Sequence, residues 1–143
     1  MEPSSMKELL KDIRTIAVIG CSSSPYRTSY HIAEYLADSG FEIIPVNPNE
    51  KKVLGRKAYP SVFDIPESVK IDLIDIFRNK RYTPEMVDEI VRWSKKTGQK
   101  PLIWTQLDVS TEESKKNAEE NGFKYIENRC LMVEHRIASD VES

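Results

Sequence analysis

Apolar residues recur along this chain with two different periods, and the alternation between them is the first structural signal. Thr15-Ile-Ala-Val-Ile19 is an unbroken apolar run closed by Gly20, the kind of segment that fills a strand buried on both faces. Ile32, Ala33 and Leu36, and later Val87, Ile90 and Val91, recur instead at helical spacing and mark faces that cover a sheet. Gly40, Gly98 and Gly122 each follow a helical stretch and precede a β-rich one, where a left-handed residue ends a helix. Thr83-Pro84 reads as an N-cap followed by a first-position proline, and Ser110-Thr-Glu-Glu113 as a capping box. Together these predict a short amphipathic N-terminal helix, residues 1–12, whose apolar face is marked by Met6, Leu9, Leu10 and Ile13. Strand 15–20, helix 28–39, strand 42–46, a loop at 47–58 and a turn near Ser61 follow. Strand 71–77, helix 84–97, strand 101–104, helix 111–121 and strand 124–127 complete the pattern, with a tail at 138–143.

Such alternation means a single α/β domain, doubly wound, with a five-stranded parallel sheet, right-handed crossovers and helices on both faces. The expected strand order is 3-2-1-4-5. Helix 111–121 has Ala118 as its one clear apolar residue, so it leans on its cap and on Glu112–Lys116 spacing. Pro45 breaks the ladder rule inside the second strand, which predicts that the strand loosens there as it ends.

The 143 residues are one domain's worth, with 39% hydrophobic and 31% charged residues. With 21 Lys+Arg against 23 Asp+Glu, the chain is not basic enough for nonspecific nucleic-acid binding. No apolar run approaches the roughly 18 residues of a membrane span, and the first residues lack the pattern of a signal peptide, so a cytoplasmic location is expected. Cys21 and Cys130 fit no zinc or CxxC spacing; reduced thiols and no metal are expected.

Charge matters once it is mapped on the fold. Ligands of open α/β sheets bind beyond the carboxyl ends of the strands, where strand order reverses. Segments 20–30, 47–58 and 77–82 reach that rim. They hold eight bases, Arg27, Lys51, Lys52, Arg56, Lys57, Arg78, Lys80 and Arg81, and one acid, Glu50. A rim near +7 on a body near −9 calls for an anionic ligand. The loop Gly20-Cys-Ser-Ser-Ser-Pro25 leads into a helix whose N-cap is expected at Thr28 or Ser29. Its amides and hydroxyls suit a diphosphate. It is neither GxGxxG nor a P-loop, and Val46-Asn47-Pro48 offers no acid for a bare ribose. NADP and coenzyme A (CoA), each with a ribose phosphate, both remain.

The ordered set Ile19-Gly20-Cys-Ser22 with Pro25, Pro45-Val-Asn-Pro48 with Gly55, Asp75-Ile-Phe-Arg78, Trp104-Thr-Gln106, and Asn128-Arg-Cys130 leading to Glu134-His135 resembles the small CoA-binding domain proteins. These are relatives of the N-terminal domain of succinyl-CoA ligase alpha subunits, and the likeness spans residues 13–137. It implies a Rossmann-like domain with CoA lying across the rim. By that resemblance Gly20, Ser22 and Ser23 meet the diphosphate, and Val46, Asn47 and Pro48 line the adenosine end; Cys21, in the same loop but without a family role, and Arg27, from the basic rim, are added as candidate contacts. Lys52 or Arg56 pairs with the ribose 3′-phosphate, Phe77 and Arg78 wall the middle, and Gln106 belongs to the next loop. The chain departs from the family's usual Gln-x-Gly with Gln106-Leu-Asp108.

No complete catalytic constellation is legible. His31 reads as a helix-face residue, Glu134 and His135 as tail residues in a salt link or structural hydrogen bond rather than an acid/base pair, and Ser22 to Ser24 as donors without a base. Cys21 lies where a strand end, a helix start and a positive rim lower a thiol pKa, which would allow a mixed disulfide with a CoA thiol. Burial as small core residues is the simpler reading of both cysteines. The implied protein is therefore a CoA or acyl-CoA binder, acting as carrier, sensor or subunit of a larger assembly. An NADP-dependent reductase using the same rim is the alternative.

Overall fold

The computed structural model describes residues 3–141. In chain order the elements are α1 (Pro3–Leu10), β1 (Thr15–Ile19), α2 (Thr28–Asp38), β2 (Glu42–Val46), β3 (Lys52–Val53) and β4 (Arg56–Lys57). They continue with β5 (Leu73–Ile76), α3 (Thr83–Thr97), β6 (Leu102–Thr105), α4 (Glu112–Glu120), β7 (Tyr125–Ile126) and α5 (Leu131–Val141). Single 3-10 turns occupy Val62–Asp64 and Lys80–Tyr82.

Five strands form one parallel sheet, and the alternation of their side chains separates two cores. Ile16 and Val18 of β1 pack with Met6, Leu36 and Leu131, under α1, α2 and α5. Ala17 and Ile19 pack with Val87, Ile90 and Ala118, under α3 and α4. The doubly wound α/β fold is as expected, helices on both faces included.

The strand order is not. It runs β2-β1-β5-β6-β7, so the five sheet strands counted in sequence are ordered 2-1-3-4-5 rather than 3-2-1-4-5. All four residues of β5 are buried, which suits a central strand flanked on both sides. The other flank of β2 is closed by its own connection: Tyr59 donates its N–H to the Pro45 carbonyl at 3.0 Å and accepts from the Asn47 N–H at 2.8 Å. Pro45 turns its nitrogen to that outer edge, where the missing donor costs no ladder bond, and β2 stays in register with β1 through Val46. The expected loosening at Pro45 does not occur.

Other differences are local. The loop at 47–58 contains the β3–β4 hairpin, turned by Leu54 and Gly55 at φ 52° and 74°. The N-cap of α2 is Arg27, not Thr28 or Ser29. Thr83 lies inside α3, its hydroxyl donating to the Val109 carbonyl at 2.7 Å. α4 is capped by Thr111, whose hydroxyl accepts from the Ser114 N–H; the capping box belongs to Ser61 and Asp64 instead. Lys116 faces Glu120 rather than Glu112. Of the expected tail at 138–143, residues through 141 are the end of α5, and 142–143 lie outside the described residues. That helix is anchored at its start by β6 and the residue that follows it, because the Trp104 indole N–H donates to the Arg129 carbonyl at 2.8 Å and the Gln106 side chain accepts from the Leu131 N–H at 3.1 Å.

A cleft at the point of strand reversal

Connections leave β1 and β5 on opposite faces of the sheet, which opens a crevice above their carboxyl ends. A cleft of about 840 Å³ lies there. Its walls come from the loop after β1 and the start of α2 (Gly20, Ser22, Tyr26 to Ser29, Ile32) and from the loop after β2 (Asn47, Asn49, Glu50). Phe77 and Arg78 after β5, Gln106, Leu107 and Val109 after β6, and Cys130 before α5 complete them. Gly20 is obligatory in this arrangement: its φ is +84°, and a Cβ there would stand 2.2 Å from the Phe77 carbonyl oxygen.

Of the residues the sequence singled out, Gly20, Ser22, Arg27, Asn47, Phe77, Arg78 and Gln106 line this cleft. Val46 and Pro48 open instead on a separate pocket of about 240 Å³, shared with Ile19, Pro60, Met86 and Glu89, and Arg78 borders both spaces. Cys21 lies wholly buried, and Ser23 is exposed beside the cleft. Lys52 and Arg56 are carried by the hairpin and line neither space, and the Arg56 guanidinium donates to the Leu54 carbonyl at 3.0 Å. Sequence reasoning passed over Tyr26, Ile32, Asn49, Leu107 and Val109, residues without a charge signal; Thr28 and Ser29, expected only as N-cap candidates, and Cys130, expected as a core residue or a thiol partner for CoA, line the cleft as well.

The amides of the first loop are not free. The Ser22 N–H donates to the Ser29 hydroxyl, the Ser24 N–H to the Ser22 hydroxyl and the Tyr26 N–H to the Ser24 hydroxyl, at 3.0, 3.0 and 3.3 Å. Ser23 gives its N–H and its hydroxyl to the two carboxylate oxygens of Glu50, at 2.7 and 2.8 Å. The start of α2 differs: Arg27 makes no side-chain cap, and while the Tyr30 N–H is taken by the Arg27 carbonyl at 3.2 Å, the N–H groups of Thr28 and Ser29, which line the cleft, have no capping acceptor among the described residues.

The positive rim is partly consumed by its own neighbours. Lys80 pairs with Asp108 at 3.4 Å, and Arg78 and Arg81 each stand 5.0 Å from the Tyr82 ring centre. Asp108 holds φ +59°, which explains why glycine suits that place in the Gln-x-Gly pattern, and its N–H is held by the Asn128 side chain at 3.0 Å.

Burial, reinforced by Glu50 and Asp75, pushes the Cys21 thiol up to about 12, so the positive rim does not activate it. Cys130, half-buried, is the thiol that faces the cleft. Asp75 is fully buried, neither carboxylate oxygen has a hydrogen-bond partner among the described residues, and burial holds its pKa well above the usual range. His135 and Glu134 do not act on each other: the imidazole shares a 2.8 Å hydrogen bond with the Tyr35 hydroxyl, and Glu134 faces Arg129 at 3.4 Å. A second groove, about 380 Å³, lies at the amino ends of the strands between Lys7, Arg14, Phe41 and His135. No group of His, Cys, Asp and Glu able to hold a metal occurs among the described residues.

A family model described as a CoA binding domain matches residues 14–136. The chain belongs to that family. The uncharacterized protein YneT of Bacillus subtilis (strain 168) is 33% identical over 134 residues, 94% of each chain. The Archaeoglobus fulgidus protein acetate–CoA ligase [ADP-forming] II is 37% identical over 78 residues, which are 53% of this chain and 11% of that one. Among solved structures, a hypothetical protein from Pyrococcus horikoshii OT3 superimposes with a TM-score of 0.85 at 37% identity, covering 95% of this chain and 91% of that one.

Proposed function

We propose that this member of the CoA binding family holds CoA or an acyl-CoA across the carboxyl ends of β1, β2 and β5, as carrier, sensor or subunit rather than as a complete catalyst. The observation that carries the reading is the meeting of Arg27, Arg78 and the uncapped start of α2 on one cleft. Two guanidiniums and a helix N-terminus form a site for a diphosphate, and the cleft is of the size that takes such ligands. Past Arg78, the apolar walls of Val46, Pro48 and Pro60 suit the adenine ring. Lys52 and Arg56, on the adjoining hairpin, suit the ribose 3′-phosphate. Towards Gln106 and Cys130 the cleft suits the pantetheine arm and its thiol.

When bound, CoA supplies a thiol that carries acyl groups; the residues of this chain bind and orient it. The ligase relatives are several times longer than this chain, which supports a protein partner that adds the chemistry. A cytoplasmic location accords with two unpaired thiols. Calorimetric titration with CoA, acetyl-CoA, NADP and NAD tests the reading. CoA and acetyl-CoA are expected to bind and the dinucleotides not; NADP binding in the absence of CoA binding would overturn it in favour of a reductase.

A further inference from the structure

The loops after β1 and β2 are clasped at the place where a ligand's charge is expected, and the clasp is an acid. Asn47 donates its side-chain amide to the Cys21 carbonyl at 3.1 Å and accepts from the Asn49 N–H at 2.9 Å, while the Glu50 N–H closes the turn on the Asn47 carbonyl at 3.2 Å. That turn delivers Glu50 to Ser23, where its two oxygens take one N–H and one O–H at 2.7 and 2.8 Å. The neighbouring amides of Ser22, Ser24 and Tyr26 are satisfied by neutral hydroxyls. Ser23 is thus the point in the loop that receives a full negative charge. Glu50 is also the lone acid among eight bases in the rim segments, yet among the described residues it makes no ion pair with any of them. A carboxylate that gives one oxygen to an amide and the other to a hydroxyl of the same residue, at 2.7 and 2.8 Å, marks the donor pair as an anion seat, since short charge-assisted bonds of this kind are the strong ones.

We propose that Glu50 is a built-in occupant of the anion seat at Ser23, displaced when a phosphoryl group of the ligand takes the same two donors. This rests on the proposed function and deepens it. Glu50 sets a threshold: a ligand must carry enough negative charge to unseat a carboxylate, and releasing it frees the 47–50 turn from the first loop. Weakly charged fragments of the ligand would then leave the clasp closed.

The test compares wild type with Glu50→Gln and Glu50→Ala, titrated calorimetrically with CoA and with inorganic pyrophosphate at two salt concentrations. Both variants are expected to bind both probes about tenfold tighter than wild type, because the competing charge is gone. The ratio is expected to persist at 1 M salt, where charges act over only about 3 Å. Equal or weaker binding by the variants overturns the proposal, and so does a gain that vanishes in salt, since that is a distant field rather than a displaced contact. If pyrophosphate shows the gain while CoA binds none of the proteins, the anion seat stands and the CoA reading falls. If CoA binds wild type and variants alike, the seat falls and the CoA reading stands.

Discussion

Asp75 is the residue whose removal is expected to improve the protein. It sits in the central strand β5 between Val18 of β1 and Trp104 of β6, wholly buried, with both carboxylate oxygens unpartnered among the described residues. Burial raises its folded pKa above the ordinary value near 3.9 that it keeps in the unfolded chain. Below about pH 4 both states hold the proton and the titration costs nothing. As the pH climbs from there toward the raised folded pKa, the unfolded chain ionises and the folded one does not, so stability falls by about 1.4 kcal/mol per pH unit. The neutral carboxyl carries a further cost of about 1–3 kcal/mol for burying polar atoms without partners. Asp75→Asn should abolish the pH-dependent part while keeping the shape. Asp75→Val should abolish both parts and be more stable than wild type at pH 7. Urea unfolding at pH 4, 5, 6 and 7, followed through the buried Trp93 and Trp104, measures each difference from wild type and so cancels the other titrating groups. If the difference between Asp75→Asn and wild type does not change across that range, or if Asp75→Val is less stable at pH 7, the carboxyl has a partner and the reasoning fails.

Three further outcomes follow from the same geometry. Gly20→Ala should lose about 3 kcal/mol or more in thermal unfolding, from the left-handed backbone and the collision with the Phe77 carbonyl; a normal Tm would refute the close approach. Arg78→Ala should weaken CoA binding by about 1.5–3 kcal/mol, read by calorimetry, and unchanged affinity would remove it from the site. Iodoacetamide should label Cys130 in the native protein, more slowly with CoA present, and reach Cys21 only on unfolding, as peptide mass spectrometry would show; early labelling of Cys21 would contradict its burial and raised pKa.

What could be read in the sequence follows physical lines. The run ending at Gly20 and the stripes of Val87, Ile90 and Val91 announced their elements because burial on two faces or on one leaves a period in the residues. The hairpin left no such trace: its strands are two residues each, and its left-handed turn starts with Leu54, a residue that rarely adopts that conformation. α5 was missed because buried Leu131 and Ala138 are interleaved with the exposed Val133 and Ile137, which blurs the face. Strand order is a property of edges rather than of periods, and it turned on which side of β2 could spare the donor that Pro45 lacks. At the site, the gathering of Arg27 and Arg78 was legible as charge. Which serine amides were already taken was not, because a hydroxyl's choice of partner depends on loop coordinates. Glu50 entered the sequence argument as one acid against eight bases, and only its 2.7 Å contact with Ser23 revealed what it holds.

The central claim is that CoA lies over the reversal between β1 and β5 with its phosphates at the start of α2. An amide-resolved NMR titration of the ¹⁵N-labelled protein with CoA tests it most directly. The account expects the largest shifts at Ser23, Thr28, Ser29, Arg78 and Gln106, saturating together. Saturable shifts confined to Lys7, Arg14, Phe41 and His135 at the opposite end of the sheet, or no shifts at millimolar CoA, would contradict it.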